Sequence, residues 1–185
     1  MTGQINVNKI GARTGTTINM ESGHKILMPG SIIQTKSFTM TSTTTTTSDG
    51  FVDTGLQLAI TPSSASSKIL ITGIINVGQT YFKTYIRLLR DSTVLSVGDT
   101  ASNRPRVYAS SAPGGSDWDT YNVTAISLNL LDSPNTTSSV TYKVDFRPYQ
   151  HTATTSYINR SGSDRDNADY DERSISVMTL QEIAA

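Results

Sequence analysis

Apolar and polar residues alternate along several short stretches of this chain. The clearest is 140–147, in which Val140, Tyr142, Val144 and Phe146 alternate with polar residues. A period of two is typical of a β-strand with one buried face. On this pattern and on the position of turn residues, strands are predicted at 31–40, 56–60, 68–77, 85–90, 93–97, 126–130, 140–147 and 174–183.

The predicted strand 68–77 differs from the others because both of its faces are apolar. It places Ile69, Ile71, Ile75 and Val77 on one face and Leu70 and Ile74 on the other. A strand of this kind is usually covered on both sides. We therefore expect it at the centre of a sandwich or at a contact between subunits.

Turn residues separate the predicted strands, and no stretch has the helical period. Asp91-Ser92 predicts a hairpin turn between two strands, and the Thr- and Ser-rich stretch 41–48 predicts a polar edge strand or a loop. The stretches 98–120, with room for one short strand, and 148–173 predict long loops. Short strands at such spacing predict an all-β fold, an antiparallel β-sandwich or jelly roll.

Residues 1–30 differ from the rest of the chain. Glycines at 11, 15, 23 and 30 divide them into short extended pieces, which cannot bury an apolar face alone. We expect 1–30 to be an extended docking segment and 31–185 to form one sandwich domain. The first residues lack the basic and apolar regions of a signal peptide, and no apolar run reaches membrane-spanning length. We expect no membrane insertion.

Composition supports a β-fold and argues against nucleic-acid binding. Thr occurs 28 times and Ser 24 times, and β-branched side chains such as Thr favour strands. Fifteen basic residues balance fifteen acidic ones, so long-range attraction to nucleic acid is not expected. The chain has no cysteine, so disulfides are excluded and oligomerisation is the expected stabilising device.

The residues that usually carry out catalysis are scarce. The two histidines, His24 and His151, are far apart in the sequence, and glutamate occurs only at 21, 172 and 182. No nucleophile-elbow, zinc-protease or phosphate-loop motif is present. We expect no enzymatic activity and no cofactor.

One loop carries residues suited to contact with a sugar. Asp117 and Asp119 flank Trp118, the only tryptophan, and Tyr121 and Tyr157 are candidates to extend its ring surface. An indole stacks on the apolar face of a sugar while carboxylates accept hydrogen bonds from its hydroxyl groups. The alternative is that Trp118 packs into the domain or against a neighbouring subunit.

A second loop is rich in carboxylates. Residues 164–172 contain Asp164, Asp166, Asp169, Asp171 and Glu172. Oxygen ligands suit Ca²⁺, but the spacing departs from that of an EF-hand, and neighbouring arginines offset the charge. A solvated loop is favoured over a calcium site, and both interpretations stay open.

Several phrases of the sequence resemble virion proteins of marine tailed phages of the cyanophage type. They are PGSIIQ (29–34), TTTTT (43–47), FVDTGL (51–56), ITPSSASSKIL (60–70), LDSP (131–134), TYKV (141–144), INRS (158–161) and SISVMTLQEI (174–183). The resemblance covers about 29–183 and leaves 1–28 outside. It implies a virion component made in the host cytoplasm, and it brings no catalytic motif.

Two classes of function follow from these observations. The first is a non-enzymatic virion protein, either a trimeric fibre-like, receptor-binding component or a capsid decoration protein, attached to other virion proteins through 1–30. In that case the loops 98–120 and 148–173 would face a host-surface glycan, because long loops on a rigid sandwich are common contact sites. The second class is a separate carbohydrate-binding module, or a weak glycan hydrolase, built around Trp118.

Overall fold

The computed structural model describes residues 28–80, 82–95, 97–111, 120–149, 154–166 and 168–185. Eleven strands occur in this part of the chain. Their bounds are β1 Ile32–Met40, β2 Thr44–Thr46, β3 Val52–Ile60, β4 Lys68–Gln79, β5 Thr84–Arg90, β6 Thr93–Leu95, β7 Ala109–Ser110, β8 Val123–Asp132, β9 Val140–Pro148, β10 Ser156–Ile158 and β11 Ser176–Ile183.

The strands form two antiparallel sheets. In sheet A, β11 lies between β1 and β4, and β8 pairs with the opposite edge of β4. Strand β10 pairs with the last residues of β4, beyond the end of β11, and β2 pairs with β10. Sheet B has the order β3-β9-β5-β6, with β7 also paired to β5. The main strands, β1-β11-β4-β8 facing β3-β9-β5-β6, have the order of a jelly roll, and the predicted all-β sandwich is therefore confirmed.

Alternating side chains form the core between the sheets, as the sequence pattern predicts. From β9, Val140, Tyr142, Val144 and Phe146 are at most 5 % exposed. From β4, the fully buried residues are Ile69, Ile71, Ile75 and Val77. The second apolar face of β4, with Leu70 and Ile74, is half-buried and lies on the outside of sheet A.

The predicted elements are close to the observed ones, with one clear error. Asp91-Ser92 joins β5 to β6 as predicted. The stretch 148–173 is not wholly a loop, because β10 pairs with the end of β4 and with β2. Three residues are too few to show a period, so the sequence pattern could not reveal this strand.

The boundary near residue 30 can be described only on its C-terminal side. Residues 1–27 lie outside the described part of the chain. The Gly30 amide donates to the Ala184 carbonyl at 2.8 Å, and the Ala184 amide donates to the Ser31 carbonyl at 2.9 Å. The chain therefore enters sheet A beside the end of β11.

Candidate functional site

The predicted sugar contact lies partly outside the described residues. Asp117, Trp118 and Asp119 fall outside them. Tyr157 lies in β10 rather than in a loop, is 8 % exposed, and is covered by the guanidinium group of Arg160 at 4.1 Å from the ring centre. Its ring is closed to solvent in the single chain, whereas the prediction requires an open ring.

Tyr121 belongs to a different cluster. Its ring centre lies 5.7 Å from that of Tyr170, and the Arg165 guanidinium lies 4.5 Å from the Tyr121 ring centre. Tyr121 therefore contacts the acidic loop 164–172. Tyr121 and Tyr157 are thus stacked by different arginines, Arg165 and Arg160, and the acidic loop contacts both clusters because Asp164 pairs with Arg160.

The acidic loop is held by ion pairs. Asp164 contacts Arg160 at 2.9 Å and Arg173 at 2.6 Å. Asp171 contacts the Nε of Arg165 at 3.2 Å and accepts a hydrogen bond from its backbone amide at 2.8 Å. The described residues contain no group of three or more potential metal ligands of the His, Cys, Asp and Glu types. These contacts favour the ion-paired loop over a calcium site.

The backbone at Arg160, just before the acidic loop, packs closely against the backbone of β4 at Gly78. A Cβ added to Gly78 would lie 2.2 Å from the Arg160 carbonyl oxygen. Any side chain at position 78 would therefore displace the segment that places Arg160 over Tyr157. Glycine here serves the close packing of two backbone segments.

The outer face of sheet A carries one charged side chain on its four main strands, Lys68 at the start of β4, and none in the cross-strand rows that follow it. The residues of this face are paired across adjacent strands, from β8 to β4, from β4 to β11 and from β11 to β1. We call it the charge-free face, and its residues are Ala125, Ser127, Asn129, Leu131, Leu70, Thr72, Ile74, Asn76, Val177, Thr179, Gln181, Thr35, Ser37 and Thr39. Leu131 is 50 % exposed there.

The two edges of sheet A differ. At β1, the register shifts between Ile32 and Gln34, and the Lys36 ammonium donates to the Ala59 carbonyl at 3.2 Å. Bulges and lysines are devices that prevent edge-to-edge pairing. Strand β8 has neither a basic residue nor a proline, and no described strand pairs with its second edge.

The outer face of sheet B is charged. Lys143 lies 3.7 Å from Asp145 and 4.0 Å from Asp53. Burial raises the pKa of Asp145, and the neighbouring Asp53 raises it further, whereas Lys143 lowers it. The two sheets therefore offer solvent chemically different surfaces.

Sequence reasoning missed the arginines of this face. Arg87 and Arg147 occupy outward positions that the alternation does predict. However, the register between β5 and β9, which places Arg147 opposite Tyr85, joins residues far apart in the sequence. Alternation predicts the face of a residue and not its neighbour on the next strand.

Comparisons with known proteins give distant structural matches. No protein-family model matches the chain, and neither does any curated protein sequence. One solved chain, from T=1 particles derived from infectious bursal virus, has a TM-score of 0.40 at 10% identity over 91% of this chain and 40% of that one. Another, from the Gx strain of infectious bursal disease virus, has a TM-score of 0.39 at 10% identity over 91% of this chain and 46% of its own. This chain thus spans less than half the length of either.

The structure adds one observation about membranes. Within the described residues, no helix is long and apolar enough to cross a bilayer.

Proposed function

We propose that this chain is a non-enzymatic structural component of a virus particle that assembles with copies of itself. The observation that carries the proposal is the charge-free face of sheet A. Depletion of charged residues is the compositional mark of the buried centre of protein interfaces. The resemblance of 29–183 to tailed-phage virion proteins supports the same conclusion.

The second apolar face of β4 gives this assembly an energetic basis. Leu70 and Ile74 are half-buried beside the exposed Leu131 and the half-buried Val177. Complete burial of such a side chain contributes about 1.5–3 kcal/mol, and these residues would gain part of that in a contact between copies. With no cysteine in the chain, such burial takes the stabilising role that disulfides have in many extracellular proteins.

In its finer form, the proposal is a trimeric, fibre-like, receptor-binding protein. Residues 1–30 would attach it to other virion proteins, and the loops 98–120 and 148–173 would face the host. Asp117, Trp118, Asp119 and Tyr121 would then be candidate contacts for a host glycan. Capsid decoration is the alternative within the same class.

A carbohydrate-binding module is the second candidate. Jelly rolls occur in lectin domains as well as in viral capsids, so the fold alone does not decide between them. The pairing of Arg147 with Tyr85 on the outer face of sheet B favours this candidate, because arginines and aromatic rings are suited to sugar contacts. A module of this kind would be expected to act as a monomer.

Sedimentation of the purified chain and labelling of particles test the proposal together. We expect a stable trimer at micromolar concentration, and antibodies to the chain should label intact particles. Deleting 1–28 should leave a folded trimer that no longer enters particles. A stable monomer that binds glycans, or normal incorporation of the shortened chain, would contradict the respective parts of the proposal.

A further inference from the structure

Aromatic rings and guanidinium groups alternate across the outer face of sheet B. Arg147 is the cross-strand partner of Tyr85, and the pairing of Val52 with Phe146 places Phe51 on the other side of Arg147. The Arg147 guanidinium carbon lies 4.8 Å from the Tyr85 ring centre and 5.1 Å from that of Phe51. Arg87 stacks more closely, at 3.8 Å from the Phe51 ring centre.

This cluster has more positive than negative charge. Within the described chain, no ion pair within 4.0 Å joins Arg87 or Arg147 to a carboxylate. Lys143 lies 4.0 Å from Asp53 and 3.7 Å from Asp145, and Asp145 is the cross-strand partner of Arg87. Burial lowers the pKa of Arg87 and the charge of Arg147 lowers it further, whereas the charge of Asp145 raises it. Asp145 thus offsets part of the repulsion between the two guanidinium groups, and an anion bound beside Arg147 would reduce it further.

An open cavity lies beside Arg147. Its volume is about 250 Å³, and its lining consists of Tyr85, Asn103, Pro105, Arg147 and Tyr149. The Tyr149 ring is 37% exposed and rests against Phe82, with the ring centres 5.1 Å apart. The cavity is smaller than the range of about 300–1,000 Å³ typical of drug-sized ligands, so it suits a single ring.

We propose that this cavity binds a sugar residue that carries a carboxylate, such as a uronic acid. The planar guanidinium of Arg147 matches the two oxygens of a carboxylate. The exposed ring of Tyr149 offers a face for the C–H groups of a sugar, while the buried ring of Tyr85 supports the Arg147 guanidinium from below. The Asn103 amide both donates to and accepts from hydroxyl groups. The inference is independent of a role in a particle, because it rests on the single chain.

Binding of small probes tests this assignment. Methyl glucuronide, methyl glucoside and acetate are each titrated into the full chain and followed by NMR shifts. The variants are Arg147→Gln and Tyr149→Ala, with thermal melting to verify folding. Arg165→Gln is the matched control, because Arg165 also stacks on a tyrosine, at 4.5 Å, but is paired with Asp171 on another part of the surface.

We expect the glucuronide to bind saturably. The glucoside and acetate should each bind more weakly than the glucuronide, by about tenfold or more. Arg147→Gln should weaken glucuronide binding by a similar factor, and Tyr149→Ala should weaken it as well, while Arg165→Gln leaves it unchanged. The assignment is overturned if the wild-type chain shows no saturable binding. It is also overturned if the glucoside or acetate binds as well as the glucuronide, or if folded Arg147→Gln binds normally.

Discussion

Glu182 is fully buried in β11, and its carboxylate is held by three short hydrogen bonds. Its Oε2 accepts from the Gln34 side-chain amide at 2.6 Å, while its Oε1 accepts from the backbone amide and hydroxyl of Ser63 at 2.7 and 2.6 Å. Burial by itself would raise the pKa of this carboxyl group. The hydrogen bonds from Ser63 and Gln34 outweigh that effect and lower the pKa to about 2.

The lowered pKa of Glu182 predicts how the free energy of unfolding changes at acid pH. The pKa of Glu182 is near 4.5 when unfolded and about 2 when folded, so its stabilisation is present above pH 4.5 and is lost as the pH falls towards 2. Its full size is about 3 kcal/mol. Glu182→Gln should lower the free energy of unfolding by roughly 2–3 kcal/mol at pH 7 and show a smaller loss near pH 3.

Denaturant titrations between pH 2.5 and pH 7 measure this difference. Glu172→Gln is the control, because Glu172 is exposed on the acidic loop. A loss for Glu182→Gln that is independent of pH would show that the carboxylate is not the source of the stabilisation.

Asn159 shows why single residues of this kind are not predictable from the sequence. It lies in a stretch predicted as a polar loop, yet it is fully buried with φ at 61°. Its side-chain amide donates to the carbonyls of Met40 and Ser42, both at 2.9 Å, and its Oδ1 accepts from the Ser176 hydroxyl at 2.6 Å. These partners come from distant parts of the chain, so only the completed fold gives Asn159 its role.

At the scale of elements, the end of β8 is joined to sheet B by a partly buried polar contact. The Oδ2 of Asp132 lies 2.6 Å from Nη1 of Arg90 and accepts a hydrogen bond from the Tyr142 hydroxyl at 2.7 Å. Burial and the Asp132 carboxylate raise the pKa of Tyr142, so this hydroxyl remains a donor at every physiological pH. Asp132 thus holds β8 against β5 and β9.

We expect Asp132→Ala to destabilise the fold by about 2–4 kcal/mol, because it leaves a partly buried guanidinium and a buried hydroxyl without their acceptor. Tyr142→Phe should cost about 1 kcal/mol, since it removes one hydrogen bond. Urea unfolding measures both variants, with the exposed Asp49→Ala as the control. Equal stability of Asp132→Ala and the control would contradict the role given to this contact.

The elements themselves were largely predictable where one face is buried and the strand is long. Strand β9 is the best case, because apolar and polar residues alternate over 140–147. Strand β10 was missed because its three residues are all buried and show no alternation. Its position depends on pairing with the last residues of β4 and with β2, and the local sequence holds no information about these pairings.

At the scale of the whole molecule, the charge-free face gives a direct test of assembly. Leu131→Glu introduces a charge at a side chain that is 50 % exposed in the single chain, so the monomer should tolerate it. In a contact between copies, the same carboxylate would be removed from water, and this cost is large. We expect the variant to remain folded and to sediment as a monomer.

Val94→Glu is the matched control, because Val94 is 38% exposed on β6 of the other sheet. It should leave the oligomer intact. An oligomer that persists in Leu131→Glu, with the melting temperature of the wild-type chain, would place the interface elsewhere.

The pairing of β1 with β11 also has a consequence for folding during translation. These strands come from opposite ends of the described chain, and β11 lies between β1 and β4 in sheet A. Until β11 has been synthesised, β1 has no neighbour, and most of one edge of β4 is open. Contacts of such long sequence separation form slowly and expose apolar strands meanwhile. A ribosome that stops before residue 176 would therefore release a chain that lacks a central strand of sheet A. Such a chain would be a substrate for chaperones and proteases rather than a slightly shortened domain.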